Sequence, residues 1–335
     1  MSTFKVEVVT LDLVVNHPNA DRLDIAQVRG WRCVVGRDQF KTGEAAVYIP
    51  LDSVLPEYLV KELGIEKGYR NKVKSIKLRG EFSQGLLMKP REGWKLGDDV
   101  TDAIGITKWE EQIPIEMRGI MAPRDPRFVQ YTDIENIKNY PSVFTPVDEV
   151  VITEKIHGTN WRAAKFASAF AADGVGELLV GSHRTNLKES ETNLYWRAAN
   201  LLSVKEKLAP GEQLFGEVYG AGVQDLTYGK APGEIAVAIF DVMKDGKFLD
   251  YVDMVTYLES KGWANLIPPV LHSGPWDNSL LKYAAGYSVL CHSQICEGVV
   301  IKPLVEAYDC QLQGRKILKA ISEAYLLRKN DTERH

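Results

Sequence analysis

The run Glu154-Lys155-Ile156-His157-Gly158-Thr159-Asn160 decides how this chain is read. It follows Val150-Val151-Ile152, an apolar stretch of the length of a buried strand. A lysine just past such a strand, followed by His-Gly, places an amine at a strand end beside a tight turn. Taken alone, the run also fits a surface lysine before a β-turn. Four later segments weigh against that. Gly181-Ser182-His183-Arg184-Thr185 closes the next strand, and Leu214-Phe215-Gly216-Glu217-Val218-Tyr219-Gly220 sets a glutamate inside an apolar strand. Glu297-Gly298-Val299-Val300-Ile301-Lys302 opens a strand with a second Glu-Gly, and Ile317-Leu318-Lys319-Ala320 sets a lysine inside another. Each segment by itself fits a solvated rim charge or a turn glycine. A charge planted in an apolar strand is costly unless it is paired, so placements of this kind in series call for one shared polar pocket.

Outward from that run, strands outnumber helices without regular alternation, which predicts an α+β fold rather than a doubly wound α/β fold. Residues 4–50 hold short β-rich runs separated by Gly, Asn-Pro and Asp, the pattern of a small β-barrel or sandwich. A short helix is expected at 56–63, stopped by Gly64, with strands at 72–78 and 85–88. The first domain is read as 1–112. Pro114, Pro123 and Pro126 mark a linker over 113–130. In a second domain, 131–335, the spacing predicts helices at 131–139, 193–208, 252–262 and 278–290. Its strands are expected at 148–155, 177–182, 213–219, 234–247, 297–302 and 316–321.

The 335 residues suggest about two domains. The longest apolar run near the middle is residues 235–240, far short of the roughly 20 residues of a membrane helix. Residues 1–7 lack the apolar core of a signal peptide, so a cytoplasmic protein without membrane contact is expected. The four cysteines contain no CxxC pair and the six histidines no HExxH, which argues against a disulfide scaffold or a structural zinc site. The formal net charge of −4 disfavours nonspecific coating of nucleic acid. Yet Lys61, Lys67, Arg70, Lys72, Lys74, Lys77, Arg79, Lys89 and Arg91 face only Glu62, Glu66 and Glu81 within residues 61–91. Such a local basic patch suits a nucleic-acid backbone.

The run Lys155-x-His157-Gly158-x-Asn160 resembles the nucleotidyl-transfer motif of the covalent nucleotidyltransferases, in the KxHGxN form of RNA ligase 2-like enzymes; the more general form is KxDG. The other segments follow in that superfamily's order, from Ser-x-Arg to the last lysine motif, over roughly 131–325. DNA ligases and capping enzymes carry an oligonucleotide-binding barrel after that last motif, whereas only residues 320–335 follow Lys319 here. The β-rich domain lies in front instead. Its text, from His17-Pro18-Asn19-Ala20-Asp21-Arg22-Leu23 to Lys77-Leu78-Arg79-Gly80-x-x-Ser83-Gln84-Gly85-Leu86, resembles the N-terminal OB-fold barrel of the RNA ligase family 5 group.

That resemblance implies an ATP-dependent RNA ligase. Lys155 would take AMP from ATP and release pyrophosphate, AMP would pass to an RNA 5′-phosphate, and a 3′-OH would then expel it to seal the ends of a nicked duplex. A free lysine, with a pKa near ~10.4, is nearly all protonated at neutral pH. Burial and nearby positive charge favour the neutral nucleophile. The resemblance gives catalytic roles to Lys155, Glu297, Lys319 and Lys302, and a Mg2+ or Mn2+ ion to Glu217 and Glu297. Glu217 is also the candidate for the ribose hydroxyls, Arg184 for the ribose or the RNA end, and Glu154 for the adenine amino group. Phe240 would stack on the base and Asn160 would position the 5′-phosphate. Ile156 and Lys316 complete the expected ATP-binding set. The barrel would track RNA or orient pyrophosphate, and Trp31 and Phe82 are either stacking rings or core. No obligate protein partner is implied. The chain departs from the pattern at His157, where Asp is common, and at Ala320-Ile321, where a second lysine often stands; Lys316 is the candidate substitute. The competing readings are a capping-type guanylyltransferase and a noncatalytic OB-type RNA-binding protein.

Overall fold

The computed structural model describes residues 4–69, 72–109, 119–167 and 176–327. Arg70 of the basic segment and residues 113–118 of the expected linker lie outside them. The chain falls into two units that divide after Gln112, with Lys138–Pro141 grouped with the first.

The first unit is built around a strand buried on both faces. Strands β1 (Glu7–Thr10), β2 (Leu13–Asn16), β3 (Leu23–Val28), β4 (Trp31–Gly36) and β5 (Ala45–Ile49) precede helix α1 (Glu57–Glu62). A hairpin, β6 (Ile76–Leu78) and β7 (Glu81–Ser83), and strand β8 (Leu86–Met88) follow. β1, β5 and β8 form one antiparallel sheet, and β2, β3 and β4 form another. Side chains alternate along a strand. Val47 and Ile49 therefore enter a core with Val8, Leu59 and Ile104, while Ala46 and Tyr48 enter a second core with Leu11, Val28, Trp31 and Cys33. Residues 72–75, expected as strand, are not.

In the second unit two sheets face each other, antiparallel except at one short edge pair. Strands β9 (Glu149–Glu154), β10 (Thr159–Phe166) and β11 (Glu177–Gly181) come first, then helix α2 (Leu194–Leu201). Strands β12 (Glu212–Gly220) and β13 (Ile235–Lys244), helix α3 (Tyr251–Ser260) and strands β14 (Val270–Pro275), β15 (Gly298–Pro303) and β16 (Leu318–Ile321) follow, with helix α4 (Glu323–Leu326) after them. One sheet runs Asn186–Leu187, β11, β10, β12, β13, Lys247–Phe248, and the other runs Glu135–Asn136, β16, β15, β9, β14. Trp161, Ala163, Leu214, Val218, Val237 and Ile239 face the helices in the main core. The opposite face of that sheet meets the second sheet through two smaller clusters. One holds Tyr131, Phe215, Met243 and Ile317; the other holds Ile156, Tyr219, Ala238, Ile321 and Tyr325.

Three expected helices change form. Residues 131–139 hold a short strand, Glu135–Asn136, paired in parallel with β16, and a 3-10 turn. So short a segment gains more from a sheet edge than from isolated helix. The helix over 193–208 breaks at Ser203, whose φ is 51°. In the segment 278–290 a 3-10 stretch ends at Ala284. Beyond it, the amides of Leu290 and Cys291 bond to the Ser288 hydroxyl and that of Val289 to Glu154, so helical carbonyls are not their partners. Strands β10 and β14 were not expected.

Asp241 is fully buried between the sheets. Its carboxylate accepts from Lys302 Nζ at 3.1 Å, Arg315 Nη2 at 2.8 Å and the Tyr131 hydroxyl at 2.7 Å. Burial alone would raise its pKa, but the two cations hold it below the usual carboxylate range. The depressed pKa contributes stability that is present above the unfolded value near ~3.9 and is lost as pH falls through the lower folded value. Asp241→Ala, which leaves the buried Lys302 without its anion and Arg315 with Glu306 alone, is expected to cost about 3–5 kcal/mol in denaturant unfolding at neutral pH.

Candidate active site

Lys155 leaves β9 at the point where β15 begins, and its backbone N–H bonds to the Gly298 carbonyl at 2.9 Å. Its Nζ lies 2.6 Å from Glu297 Oε1, the lysine side chain 21% exposed and the glutamate 2%. The second oxygen, Glu297 Oε2, is buried without a hydrogen-bond partner. Two glycines flank this contact where neighbouring strands approach closely. A Cβ on Gly158 would sit 2.2 Å from the Val218 carbonyl oxygen, and one on Gly298 would sit 2.2 Å from that of Ala320, at a φ of +154°. Larger residues at either place would push the strands apart.

His157 is buried, and side chains fix it on three sides. Its N–H donates to the Tyr228 hydroxyl at 2.7 Å, Nε2 lies 2.8 Å from Asp225 Oδ1, and Nδ1 lies 3.0 Å from the Tyr325 hydroxyl. An ionised carboxylate can only accept, so Nε2 carries a proton, and in the neutral ring Nδ1 accepts from Tyr325. Nδ1 is 3.8 Å from Glu297 Oε2.

The remaining expected residues divide into groups. Glu217 lies between Phe215 and Tyr219 on β12, and Lys319 between Ile317 and Ile321 on β16. By strand alternation both take the faces that meet, in the gap between the two apolar clusters. Asn160 is opposite Glu217 in the register of β10 and β12, and its Oδ1 is buried without a partner. Glu154 Oε2 accepts from the Val289 N–H at 2.8 Å, while Oε1 is buried and unpartnered. Burial raises the Glu154 pKa, opposed by the hydrogen bonds of the 288–290 loop. Ile156 is buried in the cluster with Ala238 and Tyr325. Phe240 and Val300 each pack against the Tyr131 cluster, the Phe240 and Tyr131 ring centroids 4.8 Å apart. Arg184 is exposed at the tip of a turn closed by Ser182 N–H to the Thr185 carbonyl. Lys302 bonds to the Phe240 carbonyl and Asp241, and Lys316 to Asp148 at 2.6 Å.

Asp225, Tyr228, Tyr325 and Arg162 were missed in the sequence. Asp225 and Tyr228 sit in an ordinary turn-rich loop that carries no signal. Arg162 did carry one, a cation in Trp161-Arg162-Ala163-Ala164. It is fully buried and donates to the carbonyls of Ser182, Phe128 and Val129. Burial lowers its pKa to about 10. It thereby ties down the base of the Arg184 turn. Among the described residues no group of three or more His, Cys, Asp or Glu side chains is assembled around a cation site. The unpartnered Glu297 oxygen nevertheless fits a hard cation of the kind held by one or two carboxylates, water and substrate phosphates.

The RNA ligase family model matches residues 148–321, and an OB-fold domain model matches residues 5–90. The chain belongs to the RNA ligase family, and the α+β fold with an N-terminal OB-fold domain is as expected. An RNA ligase of Naegleria gruberi is similar along nearly the whole chain. A mutant of it with AMP and Mn matches at a TM-score of 0.79 and 26% identity, covering 96% of this chain and 97% of that one. The same ligase with PPi gives 0.78 at 26% identity, and a mutant with ATP and Mn gives 0.77 at 26%, each with 96% and 97% coverage. Curated protein sequences give no match.

Tyr325→Phe and Asp225→Ala are each expected to destabilise the second unit by about 1–3 kcal/mol, because each leaves a nitrogen of His157 unpaired. Both act through one ring, so in a denaturant double-mutant cycle their effects should fail to add by about 0.5 kcal/mol or more.

Proposed function

We propose that this RNA ligase charges Lys155 with AMP from ATP and uses the AMP to seal 3′-OH and 5′-phosphate RNA ends held in a nicked duplex. The observation that carries the reading is the Lys155–Glu297 contact inside the cleft between the two sheets, with the second glutamate oxygen left without a partner. The Naegleria gruberi ligase structures with ATP and Mn, AMP and Mn, and PPi correspond to the reactants and products of such a charging step.

In the first step the neutral Lys155 amine attacks the α-phosphorus. An N–P bond forms, the bond to pyrophosphate breaks, and the amine proton leaves. An anion in contact with an amine favours its charged form, so the step would be helped by weakening that contact. A Mg2+ or Mn2+ ion at Glu297, with Glu217 nearby, would supply positive charge that favours the neutral amine and offsets the phosphoryl charge. Lys319, buried in the same gap, adds cationic charge toward the transferred phosphoryl group. Lys302 and Lys316 support this from ion pairs with Asp241 and Asp148, as residues that hold the strands in place. Glu154 Oε1, buried and open to a donor, suits the adenine amino group. Ile156 borders that pocket, and Phe240 with Val300 forms the apolar wall for the base. Glu217 would also meet the ribose hydroxyls and Arg184 the ribose or RNA end, and Asn160 would position the 5′-phosphate.

In the second step the RNA 5′-phosphate oxygen attacks the lysyl-AMP phosphorus and frees the amine. In the third the 3′-OH oxygen attacks that 5′-phosphate and AMP leaves. The division of labour is an OB-fold domain at 1–112, a linker at 113–130 and a nucleotidyltransferase domain at 131–335. No obligate protein partner enters this scheme. A cytoplasmic setting fits the free thiols of Cys33, Cys291, Cys296 and Cys310, which a reducing compartment would preserve. No helix among the described residues is long and apolar enough to cross a membrane.

With α-labelled ATP and divalent metal, the wild type should retain label on the protein. Lys155→Ala should retain none, and Glu297→Ala should be slower by about a hundredfold or more. Labelled GTP should give no such adduct, and label persisting on the Lys155 variant would overturn the assignment.

A further inference from the structure

The basic segment of the first unit sorts its charges into two groups. Lys61 is paired with Glu57, Lys72 with Asp52, Lys89 with Glu44 and Arg91 with Glu62. These cations are offset within the fold. Lys67, Lys74, Lys77 and Arg79 have no acidic partner among the described residues, and the last three lie on or just before the β6–β7 hairpin. All three are exposed. The charge available to a partner is thus concentrated on one protruding ribbon.

That ribbon is firmly mounted. Arg79 and Gly80 form its two-residue turn at φ of 49° and 100°, the geometry that matches the twist of a tight hairpin. The Arg79 carbonyl accepts from Asn19 Nδ2 at 3.0 Å, and the Leu78 carbonyl lies 3.1 Å from His17 Nε2. At the other end the Ser83 hydroxyl accepts from the Val34 N–H at 3.0 Å. Phe82 stands opposite Lys77 in the register and stays partly exposed, whereas Trp31 is buried in the core. Lys77 Nζ and Arg32 Cζ lie 5.7 and 5.6 Å from the Phe82 ring centroid. Arg32 is partly offset by Glu81 at 3.6 Å.

We propose that the β6–β7 hairpin is an RNA-docking element: Lys74, Lys77 and Arg79 contact phosphates of one RNA strand, and Phe82 stacks on a base. Cations that follow a backbone, together with an aromatic face, are the chemistry of sequence-tolerant single-strand binding. An acidic polypeptide would engage the cations but has no base for the ring. A pre-positioned hairpin also loses little conformational freedom on binding. The proposal rests on the RNA ligase reading and deepens it.

The test measures full-length protein binding to a short 5′-phosphorylated single-stranded RNA by fluorescence anisotropy across a salt series. Combining Lys74→Gln, Lys77→Gln and Arg79→Gln should weaken binding about tenfold or more at low salt. It should also make the slope of log affinity against log salt shallower by about 2, from three contacts at about 0.7 each. Phe82→Leu should weaken binding about fivefold or more while leaving the slope in place. Combining Lys61→Gln, Lys89→Gln and Arg91→Gln, whose cations are already paired, should change little. Lysyl-AMP formation from ATP and the melting temperature should match the wild type in the hairpin variants. Unchanged RNA affinity in the hairpin triple variant would overturn the proposal. So would an equal loss in the paired-cation variant, or equal displacement of RNA by polyglutamate. A wild type that forms no lysyl-AMP would instead count against the ligase reading, whatever the binding data show.

Discussion

The second unit holds a lysine amine and a buried carboxylate 2.6 Å apart, and the rest of the site is arranged around them. Removing two charges from water is unfavourable unless geometry and further hydrogen bonds offset the loss. Here the offset is incomplete by construction, since one oxygen of Glu297 has no partner. Such an orphan would be a defect in a structural core, but it is expected in a site built to receive something. The pairing of β9 with β15, continued by the Lys155 N–H to Gly298 carbonyl bond, brings the two residues together.

The two sheets keep this polar gap open by packing on either side of it. Phe215 with Ile317 closes one flank, and Tyr219 with Ile321 closes the other. Strand alternation then leaves Glu217 and Lys319, the residues between, no place except the gap. The same geometry explains why Lys302 is bonded to Asp241 and the Phe240 carbonyl. One turn of the alternation beyond Val300, it crosses to the facing sheet and pins it. Its contribution in this state is to the spacing of the sheets.

The sequence made the site more legible than the scaffold around it. Charges embedded in apolar strands identify themselves because their burial needs a partner, and this holds for Glu217, Glu297 and Lys319. The same argument was available for Asp241 and Arg162, both fully buried, but their partners are backbone carbonyls and residues distant in sequence. The partners of His157 were not readable, because Asp225 and Tyr325 lie 68 and 168 residues away and look ordinary locally. Most strands of the first unit were legible as β-rich runs, but β2 and β7 were not expected, and residues 72–75 were expected as strand and are not. The helix expected over 278–290 failed because Glu154 and Ser288 take the amides of residues 289–291. Tertiary acceptors of that kind leave no mark in the local pattern.

Under the proposed reaction, the carboxylate 2.6 Å from Lys155 would also restrain it. A charged amine has no lone pair to offer, and an anion in contact stabilises the charged form. In the proposed charging step Lys155 would therefore be a poor nucleophile while Glu297 Oε1 holds it, and a better one when that oxygen is engaged elsewhere or positive charge arrives. The fixed ring of His157 matters in this respect. With Nε2 committed to Asp225 and Nδ1 to Tyr325, the imidazole has no remaining proton to donate to Glu297 Oε2, although the atoms are 3.8 Å apart. The open oxygen therefore stays open. In the proposed charging step, a site arranged in this way would couple the nucleophile by electrostatics to the arrival of the divalent cation that accompanies its substrate.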